Sequence, residues 1–288
     1  MTNQRNGRLA LVGVGRMGAA MAAGWLRKSE GGVPADKLLF VEPELQGPAK
    51  DLADKYGVQH LTQLDAETAK TVDTIILAVK PQVMEKILPQ LSEVAGEDTL
   101  IVSVAAGIGL RAFEKAFPGR PIVRNMPNVP GAIGKGINVA IANERADELK
   151  LRDEAETLLK VTGPVEWLEE ERLMGAATGV SGSGPAYVFL MAEALARAGE
   201  AEGLPADLAE RLAVATVSGA GAMLEQSLAD GSASAADLRR SVTSPNGTTQ
   251  AALDVLMGEG GLPSLIHKAV AAAEKRSREL GSAKNDKG

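Results

Sequence analysis

The chain has 288 residues, a formal net charge of −6 and no cysteine. This length allows two domains, the missing cysteine excludes disulfides and thiol catalysis, and the net acidity argues against a nucleic-acid partner. No apolar stretch approaches the roughly 20 residues that span a bilayer, and the polar Thr2–Arg8 lacks a signal-peptide pattern. We therefore expect a soluble, cytoplasmic protein that does not contact membranes.

Short apolar runs alternate with helical patterns through the first half of the chain. Strands are predicted at Leu9–Val14, Leu38–Val41, Thr74–Val79, Leu100–Val104 and Ile122–Arg124, with an edge strand at Gly136–Ile141 and a first helix at Met17–Lys28. This alternation is typical of an α/β fold with a Rossmann-type, doubly wound parallel sheet.

The strand pattern disappears in the second half of the chain. Helical patterns follow at Ala186–Ala201, Asp207–Leu228, Thr248–Met257 and Pro263–Leu280, and residues 281–288 are predicted to fray. We therefore expect a dinucleotide-binding Rossmann domain at residues 1–168, followed by an all-helical substrate-binding and dimerisation domain at residues 169–288.

The helix predicted at Asp207–Leu228 carries small apolar residues on most of its faces, above all between Ala213 and Met223. A helix that is apolar all round is normally buried on every side, and a small helical domain offers little cover. Burial against a second copy of the chain is the simplest solution. A compact monomeric bundle that closes against the sheet domain is the alternative.

A glycine-rich string joins the first predicted strand to the first helix, as in dinucleotide-binding domains. Gly13 allows the tight turn, Gly15 lets a pyrophosphate approach, and Gly18 lets helix and strand pack closely. A strand–helix turn without a ligand is the alternative. The cofactor-binding residues expected here are Gly13, Val14, Gly15, Arg16, Met17 and Gly18.

Glu42 lies at the end of the second predicted strand, where a carboxylate can accept the hydroxyls of the adenine ribose. No arginine follows immediately, and Lys50 lies eight residues further on. The expected cofactor is therefore NADPH or NADH, with a preference for NADH.

Later strand ends are also predicted to line the cofactor, because a doubly wound sheet binds ligands at the carboxyl ends of its strands. The residues concerned are Ala78, Val79, Lys80, Pro81 and Ala105. The alternative for Lys80 is a solvated lysine before a helix that begins at Pro81. Arg124 either steers an anion or is a structural arginine that bonds loop carbonyls.

Residues 241–250, Ser-Val-Thr-Ser-Pro-Asn-Gly-Thr-Thr-Gln, form a hydroxyl-rich turn that leads into an apolar helix pattern. Such a turn directs unpaired N–H groups and the positive end of the helix dipole at one spot, which suits a small carboxylate. With the glycine turn, this predicts a nicotinamide enzyme acting on a small acid. Because His60 and His267 lie outside every motif, neither a Ser-His triad nor a metal site is expected.

Five strings in this order resemble the pyrroline-5-carboxylate reductase family, over residues 8 to about 280. They read Gly-Val-Gly-Arg-Met-Gly, Ala-Val-Lys-Pro, Arg-Asn-Met-Pro-Asn, Ser-Gly-Ser-Gly-Pro-Ala-Tyr and Val-Thr-Ser-Pro-Asn-Gly-Thr-Thr. The family usually has Gly-Gly after the last proline, and here Asn246 replaces the first glycine. Asparagine tolerates left-handed backbone angles, so the loop shape is expected to survive.

The resemblance implies hydride transfer from NAD(P)H to L-1-pyrroline-5-carboxylate, which gives L-proline in the last step of proline biosynthesis. It also implies an interlocked homodimer, with larger assemblies of dimers such as a decamer. Thr249 would be the catalytic hydroxyl bonded to the ring nitrogen. Ser244 and the N–H groups of Gly247, Thr248 and Thr249 would hold the carboxylate beside Asn246. The alternative is that Thr248 or Thr249 only caps the helix.

Other functions fit parts of the sequence. A hydroxyacid dehydrogenase of the 3-hydroxyisobutyrate type shares the glycine turn, but it needs a catalytic lysine in its interdomain helix, and Gly175–Arg197 contains none. Another NAD(P)-dependent imine reductase and a non-catalytic nucleotide-binding protein remain alternatives, because fold alone does not define function.

Overall fold

The computed structural model describes residues 7–27 and 32–285, with side chains as far as residue 281. The chain divides into two compact units, one formed by Met1–Gly182 with Ala273–Gly288 and the other by Ser183–Ala272. The sheet lies in the first of these, called the sheet unit below, and the second is called the helical unit. The domain boundary at residue 168 stays a prediction.

The sheet has eight strands in the order β3-β2-β1-β4-β5-β6-β7-β8. They are β1 Arg8–Val12, β2 Leu38–Val41, β3 Gln59–Leu61, β4 Val72–Leu77, β5 Leu100–Ser103, β6 Ile122–Pro127, β7 Asn138–Ala142 and β8 Val165–Trp167. All neighbours are parallel except β6 and β7, which are antiparallel. The predicted α/β, Rossmann-type fold is confirmed.

Some strand predictions need correction. The strand predicted at Gly136–Ile141 is β7, but it is not an edge strand, because β8 pairs with its outer side. The first strand stops at Val12 because Gly13 has a left-handed φ of +89°. The three-residue strands β3 and β8 were not predicted, since both are too short to show a clear period.

Helices connect the strands on both faces of the sheet. Those of the sheet unit are α1 Arg16–Arg27, α2 Gly47–Tyr56, α3 Ala66–Ala69, α4 Pro81–Val94, α5 Leu110–Ala116, α6 Glu144–Glu148, α7 Arg152–Leu159 and α8 Met174–Ala177. Leu9 and Leu11 of β1 pack in the core that holds Trp25 of α1, whereas Ala10 and Val12 pack in the core that holds Phe113 of α5. Burial on both faces explains why these strands read as nearly continuous apolar runs.

The helical unit is built around two long helices, α9 Gly184–Ala201 and α10 Ala206–Asp230, which pack against each other. Helices α11 Ala235–Ser241 and α12 Thr248–Leu256 follow. The last helix, α13 Leu262–Asn285, ends beyond its predicted end at Leu280, so residues 281–285 are helical rather than frayed. Residues 286–288 lie outside the described residues.

Helices α9 and α10 leave most of their apolar surface exposed in the single chain. Within α9 no residue is buried, and in α10 only Ala209, Ala213 and Ser227 are buried. Phe189 and Leu228, for example, are 63% and 87% exposed. Large apolar side chains exposed on adjoining helices mark a surface that another protein covers.

Candidate active site

The turn between β1 and α1 has the shape that a dinucleotide needs. A Cβ on Gly13 would lie 2.6 Å from Cγ1 of Val79, and a Cβ on Gly18 would lie 2.4 Å from the carbonyl oxygen of Gly13. Around Gly15, by contrast, no heavy atom of the described residues lies within 4 Å of such a Cβ, apart from Gly15 itself and its two chain neighbours. Gly13 and Gly18 therefore close the turn, while Gly15 leaves its surface open to a ligand.

This glycine turn follows β1, which has β2 on one side and β4 on the other, so it lies where the strand order reverses. The N–H of Gly13 donates to the carbonyl of Val41 at 3.0 Å, and the N–H of Ala78 donates to the carbonyl of Val12 at 2.8 Å. The turn is thus fixed among the carboxyl ends of three strands, the place where doubly wound sheets bind nucleotides. Arg16 begins α1, whose N-terminus favours the negative charge of a pyrophosphate.

The carboxylate of Glu42 reaches back from the end of β2 to the glycine turn. Its Oε2 accepts the N–H of Val14 at 2.9 Å. Nε2 of His60 lies 2.6 Å from the carbonyl oxygen of Glu42, so this nitrogen carries the proton and donates it. No local pattern in the sequence indicates this role for His60, because its place beside Glu42 depends on the short pairing of β3 with β2.

The predicted cofactor-lining residues after β4 and β5 lie at the same edge of the sheet. Lys80 is exposed and precedes α4, which begins at Pro81 as predicted. After β5, the N–H of Val104 donates to the carbonyl of Leu77 at 3.0 Å. The N–H of Ala105 donates to Oγ of Ser103 at 3.3 Å, and Ala105 itself is buried. The residue exposed at this strand end is therefore its neighbour, Ala106.

Arg124 lies within β6, beside Ser103 at the end of β5, and its guanidinium contacts a carboxylate. Its Nη1 donates to Oε1 of Glu171 at 2.6 Å. Arg124 is thus a structural arginine, as one of the two interpretations held, but its partner is Glu171 rather than a loop carbonyl. The sequence does not indicate this pair, because the two residues lie 47 positions apart.

The turn between α11 and α12 forms the second part of the candidate site. Helix α12 begins at Thr248 with Gly247 as its N-cap, and within the described residues no side chain caps its first turn. The N–H groups of Thr248, Thr249 and Gln250 thus have no acceptor inside the helix. Neither threonine is the helix cap, because Gly247 occupies that position.

One predicted contact differs in the structure. The N–H of Gly247, which was expected to hold the substrate, donates to the carbonyl of Ser244 at 3.0 Å inside the turn. A Cβ on Gly247 would lie 2.4 Å from Oγ of Ser244, so glycine is needed there for a close contact. Asn246 has the left-handed φ of +59° that was anticipated for it. Gln250, which no sequence motif singles out, takes the place of Gly247 among the amides without an acceptor in the helix.

A capping box fixes α11 just before this turn. Oγ of Ser234 accepts the N–H of Asp237 at 3.1 Å, and Oδ2 of Asp237 accepts the N–H of Ser234 at 3.0 Å. The hydroxyl of Ser234, together with Arg240, lowers the pKa of Asp237 from 3.8 to about 2. The folded helix therefore holds Asp237 in its charged form at neutral pH.

We expect the helical unit to lose stability in acid through Asp237. Because the pKa of Asp237 is lower in the folded chain, its contribution is present above about pH 4 and disappears as the pH falls toward about 2. Asp237→Asn should weaken this part of the pH dependence when denaturant unfolding is followed by helix content. Asp207→Asn, which removes the exposed pair of Asp207 with Arg211 on α10, is the control. Equal pH profiles for Asp237→Asn and the unchanged protein would contradict the prediction.

Across residues 7–27 and 32–285, no group of three or more His, Cys, Asp or Glu side chains is arranged to hold a metal ion. No helix in that part of the chain has the length and apolar character needed to cross a membrane.

A Rossmann-type sheet with an open glycine turn, a carboxylate at the end of β2 and a helical unit is the architecture of a nicotinamide-dependent oxidoreductase. Residues 171–280 match the family model described as pyrroline-5-carboxylate reductase dimerisation, and residues 8–107 match that of NADP oxidoreductase, coenzyme F420-dependent. The pyrroline-5-carboxylate reductase of Pseudomonas aeruginosa is 38% identical over 275 residues, which covers 95% of this chain and 96% of the relative. The chain belongs to the pyrroline-5-carboxylate reductase family.

Solved structures agree with this membership. The pyrroline-5-carboxylate reductase of Coxiella burnetii is similar with a TM-score of 0.86 and 32% identity, covering 96% of this chain and 99% of that one. The pyrroline carboxylate reductase of Plasmodium falciparum, solved with NADP bound, has a TM-score of 0.77 and 26% identity, covering 96% and 98%. The predicted family, fold and enzyme class are confirmed, and the chain carries the dimerisation domain of the family.

Proposed function

We propose that this chain reduces L-1-pyrroline-5-carboxylate to L-proline with NAD(P)H, in the last step of proline biosynthesis. The observation that carries the proposal is the uncapped first turn of α12, which offers unpaired N–H groups in a chain that also has an open glycine turn. A small anionic substrate and a dinucleotide are the ligands that these two features fit. A cytoplasmic location is part of the proposal, in keeping with a sequence that contains no cysteine.

The substrate carboxylate binds at the N-terminus of α12 in this proposal. The N–H groups of Thr248, Thr249 and Gln250 donate to it, and Ser244 adds its hydroxyl at the edge of the turn. Interaction of an anion with a helix N-terminus contributes about 0.3–1 kcal/mol when exposed and up to about 2 kcal/mol when partly buried. Asn246 keeps the left-handed turn that brings Ser244 and Gly247 together.

Thr249 orients the ring in the same proposal, with its hydroxyl bonded to the ring nitrogen. A protonated cyclic imine already has an electrophilic carbon, so the site needs to align the ring rather than supply a strong acid. Alignment of reactants can lower a barrier by roughly 7–11 kcal/mol. When bound, the reduced nicotinamide supplies the hydride that the carbon accepts, and the nitrogen keeps its proton.

The decisive test is oxidation of NADH and NADPH, followed by the absorbance of the reduced nicotinamide, with and without L-1-pyrroline-5-carboxylate. Imine-dependent oxidation with formation of proline is expected. A folded protein that binds the cofactor but gives no imine-dependent oxidation would contradict the proposal. Other cyclic imines would then be tested, followed by the non-catalytic alternative.

NADH is the proposed preferred cofactor. Glu42 places a negative charge beside the glycine turn, and residues 43–49 contain no arginine or lysine that could bind a 2′-phosphate. Lys50, the next cation, pairs with Asp54 at 2.6 Å. A carboxylate at this point accepts the ribose hydroxyls of NADH and repels the 2′-phosphate of NADPH. The Plasmodium falciparum relative was solved with NADP, so the family does not decide the preference.

We expect Glu42→Ser to reduce the preference for NADH over NADPH by about tenfold or more. NADH loses the hydrogen bonds from its ribose hydroxyls to the carboxylate, and NADPH is freed from the repulsion between the carboxylate and its 2′-phosphate. The measurement is kcat/KM for each cofactor at saturating imine. Glu44→Ser, which alters an exposed carboxylate two positions on, is the matched control. An unchanged ratio in Glu42→Ser would remove Glu42 from the ribose site.

A homodimer is the proposed basic assembly, with larger assemblies of dimers such as a decamer. Its support is the family match at residues 171–280 and the exposed apolar side chains of α9 and α10. Sedimentation over a range of concentrations distinguishes a dimer from a larger closed assembly. A monomer at micromolar concentration would contradict this part of the proposal.

A further inference from the structure

A hydrogen-bonded carboxylate joins two elements of the sheet unit that the proposed function leaves unexplained. Oε1 of Glu171 accepts from Nη1 of Arg124 at 2.6 Å and also from the N–H of Leu110 at 2.6 Å. Arg124 lies in β6 directly beside Ser103, the last residue of β5, and Leu110 is the first residue of α5. Glu171 therefore connects β6, at the point where it lies beside the carboxyl end of β5, to the start of α5.

The pair is well shielded for an ion pair. The side chain of Arg124 is only 11% exposed and that of Glu171 is 35% exposed, whereas the neighbouring pair of Glu170 with Arg172 is 54% and 71% exposed. Removing one member of a shielded pair leaves the other charge without compensation, so such a pair fixes geometry more strongly than an exposed one.

What this pair holds in place is the β5–α5 loop, residues 104–109. At its start, the N–H of Val104 donates to Leu77 and the N–H of Ala105 donates to Ser103. At its end, Glu171 accepts the first N–H of α5. Between these two attachments the chain turns at Gly107, which has a left-handed φ of +72°.

The β5–α5 loop lies at the ligand-binding edge of the sheet. Parallel strands β1, β4 and β5 are neighbours, so their carboxyl ends lie side by side, and the glycine turn follows β1 at that edge. A dinucleotide whose pyrophosphate lies on the glycine turn and whose adenine ribose lies toward β2 extends its other half toward β4 and β5. A dinucleotide bound in this way would have its nicotinamide half, not its adenosine half, beside the loop.

We propose that Glu171, held by Arg124, is a positioning residue that sets the β5–α5 loop against the nicotinamide half of the cofactor. This inference rests on the proposed function. Glu171 contacts no reactant in this scheme, and it acts by fixing the first residue of α5. Displacement of a reactant by about 1 Å can cost about a hundredfold in rate, so loss of this support affects turnover.

The experiment compares NADH with ADP-ribose, which has the same adenosine and pyrophosphate but no nicotinamide. In Glu171→Gln, which removes the charge and keeps an acceptor, we expect kcat for imine reduction to fall by about tenfold or more. The affinity for NADH should weaken, while the affinity for ADP-ribose stays unchanged. Arg124→Lys, which keeps a positive charge beside Glu171, should retain most of the activity. Glu170→Gln, which removes the adjacent exposed pair, is the control and should match the unchanged protein.

Calorimetric titrations and thermal melting of the same samples make the outcomes distinct. Equal loss of affinity for NADH and ADP-ribose in Glu171→Gln would overturn the positioning role, as would unchanged NADH affinity and kcat in folded protein. If Glu171→Gln does not fold, Arg124→Lys and Arg124→Met provide the same comparison of ligands. An unchanged protein that lacks imine-dependent oxidation would contradict the proposed function, while the two ligand affinities would still test the loop.

Discussion

Thr249→Ala is expected to lower kcat for imine reduction by about a hundredfold, since loss of one oriented hydrogen-bond donor or acceptor at the reacting group typically costs this much. The affinity for NADH should not change, because in the proposed function the hydroxyl of Thr249 bonds to the imine and not to the cofactor. Steady-state kinetics with the imine, together with fluorescence titration of NADH, measure the two effects separately.

The variants around Thr249 separate its hydroxyl from its place in the helix. Thr249→Ser keeps the hydroxyl and should retain activity, whereas Thr249→Val keeps the shape and should be as slow as Thr249→Ala. Thr248→Ala is the matched control at the neighbouring position of the same helical turn. Substrate KM should change little in that control, because the Thr248 backbone N–H remains. Unaltered turnover in Thr249→Ala would remove Thr249 from the reaction.

The parts of the fold that the sequence predicts are those with a strong local pattern. Buried strands such as Val72–Leu77 and Leu100–Ser103 have apolar residues on both faces, so these strands can be recognised from the sequence alone. Strand β3 reads Gln-His-Leu and is largely exposed, so only its pairing with β2 makes it a strand. Helix α11 was also missed, although its Ser234 and Asp237 have the spacing of a capping box.

The candidate site divides in the same way. The spacing of the glycines in the sequence predicts their backbone roles. In the structure, Gly13 and Gly18 have crowded surroundings that no side chain could enter without rearrangement. Hydrogen bonds that depend on tertiary geometry cannot be predicted from the sequence. Examples are the bond from the Gly247 N–H to Ser244, which comes from the exact bend of one turn, and the pairing of Arg124 with Glu171.

In the glycine turn, we expect Gly15→Ala to weaken cofactor binding without loss of stability, whereas Gly18→Ala should weaken both. In Gly15→Ala the added methyl meets no heavy atom of the described residues beyond its chain neighbours within 4 Å, so the fold should keep its melting temperature. The same methyl occupies the open surface that a pyrophosphate would approach. We expect NADH and NADPH to bind at least about tenfold more weakly, since one lost close contact of a charged ligand is worth about 1.5–3 kcal/mol.

Gly18→Ala should behave differently, because its methyl would lie 2.4 Å from the carbonyl oxygen of Gly13, a backbone atom that cannot rotate away. Either α1 or β1 must move, so both the melting temperature and the affinity for the cofactor should fall. Thermal melting without ligand and titration with NADH distinguish the two variants. If Gly15→Ala lowered the melting temperature as much as Gly18→Ala, glycine at position 15 would be needed for the fold rather than for binding the cofactor. If instead Gly15→Ala bound NADH normally, the pyrophosphate would have to approach the chain elsewhere.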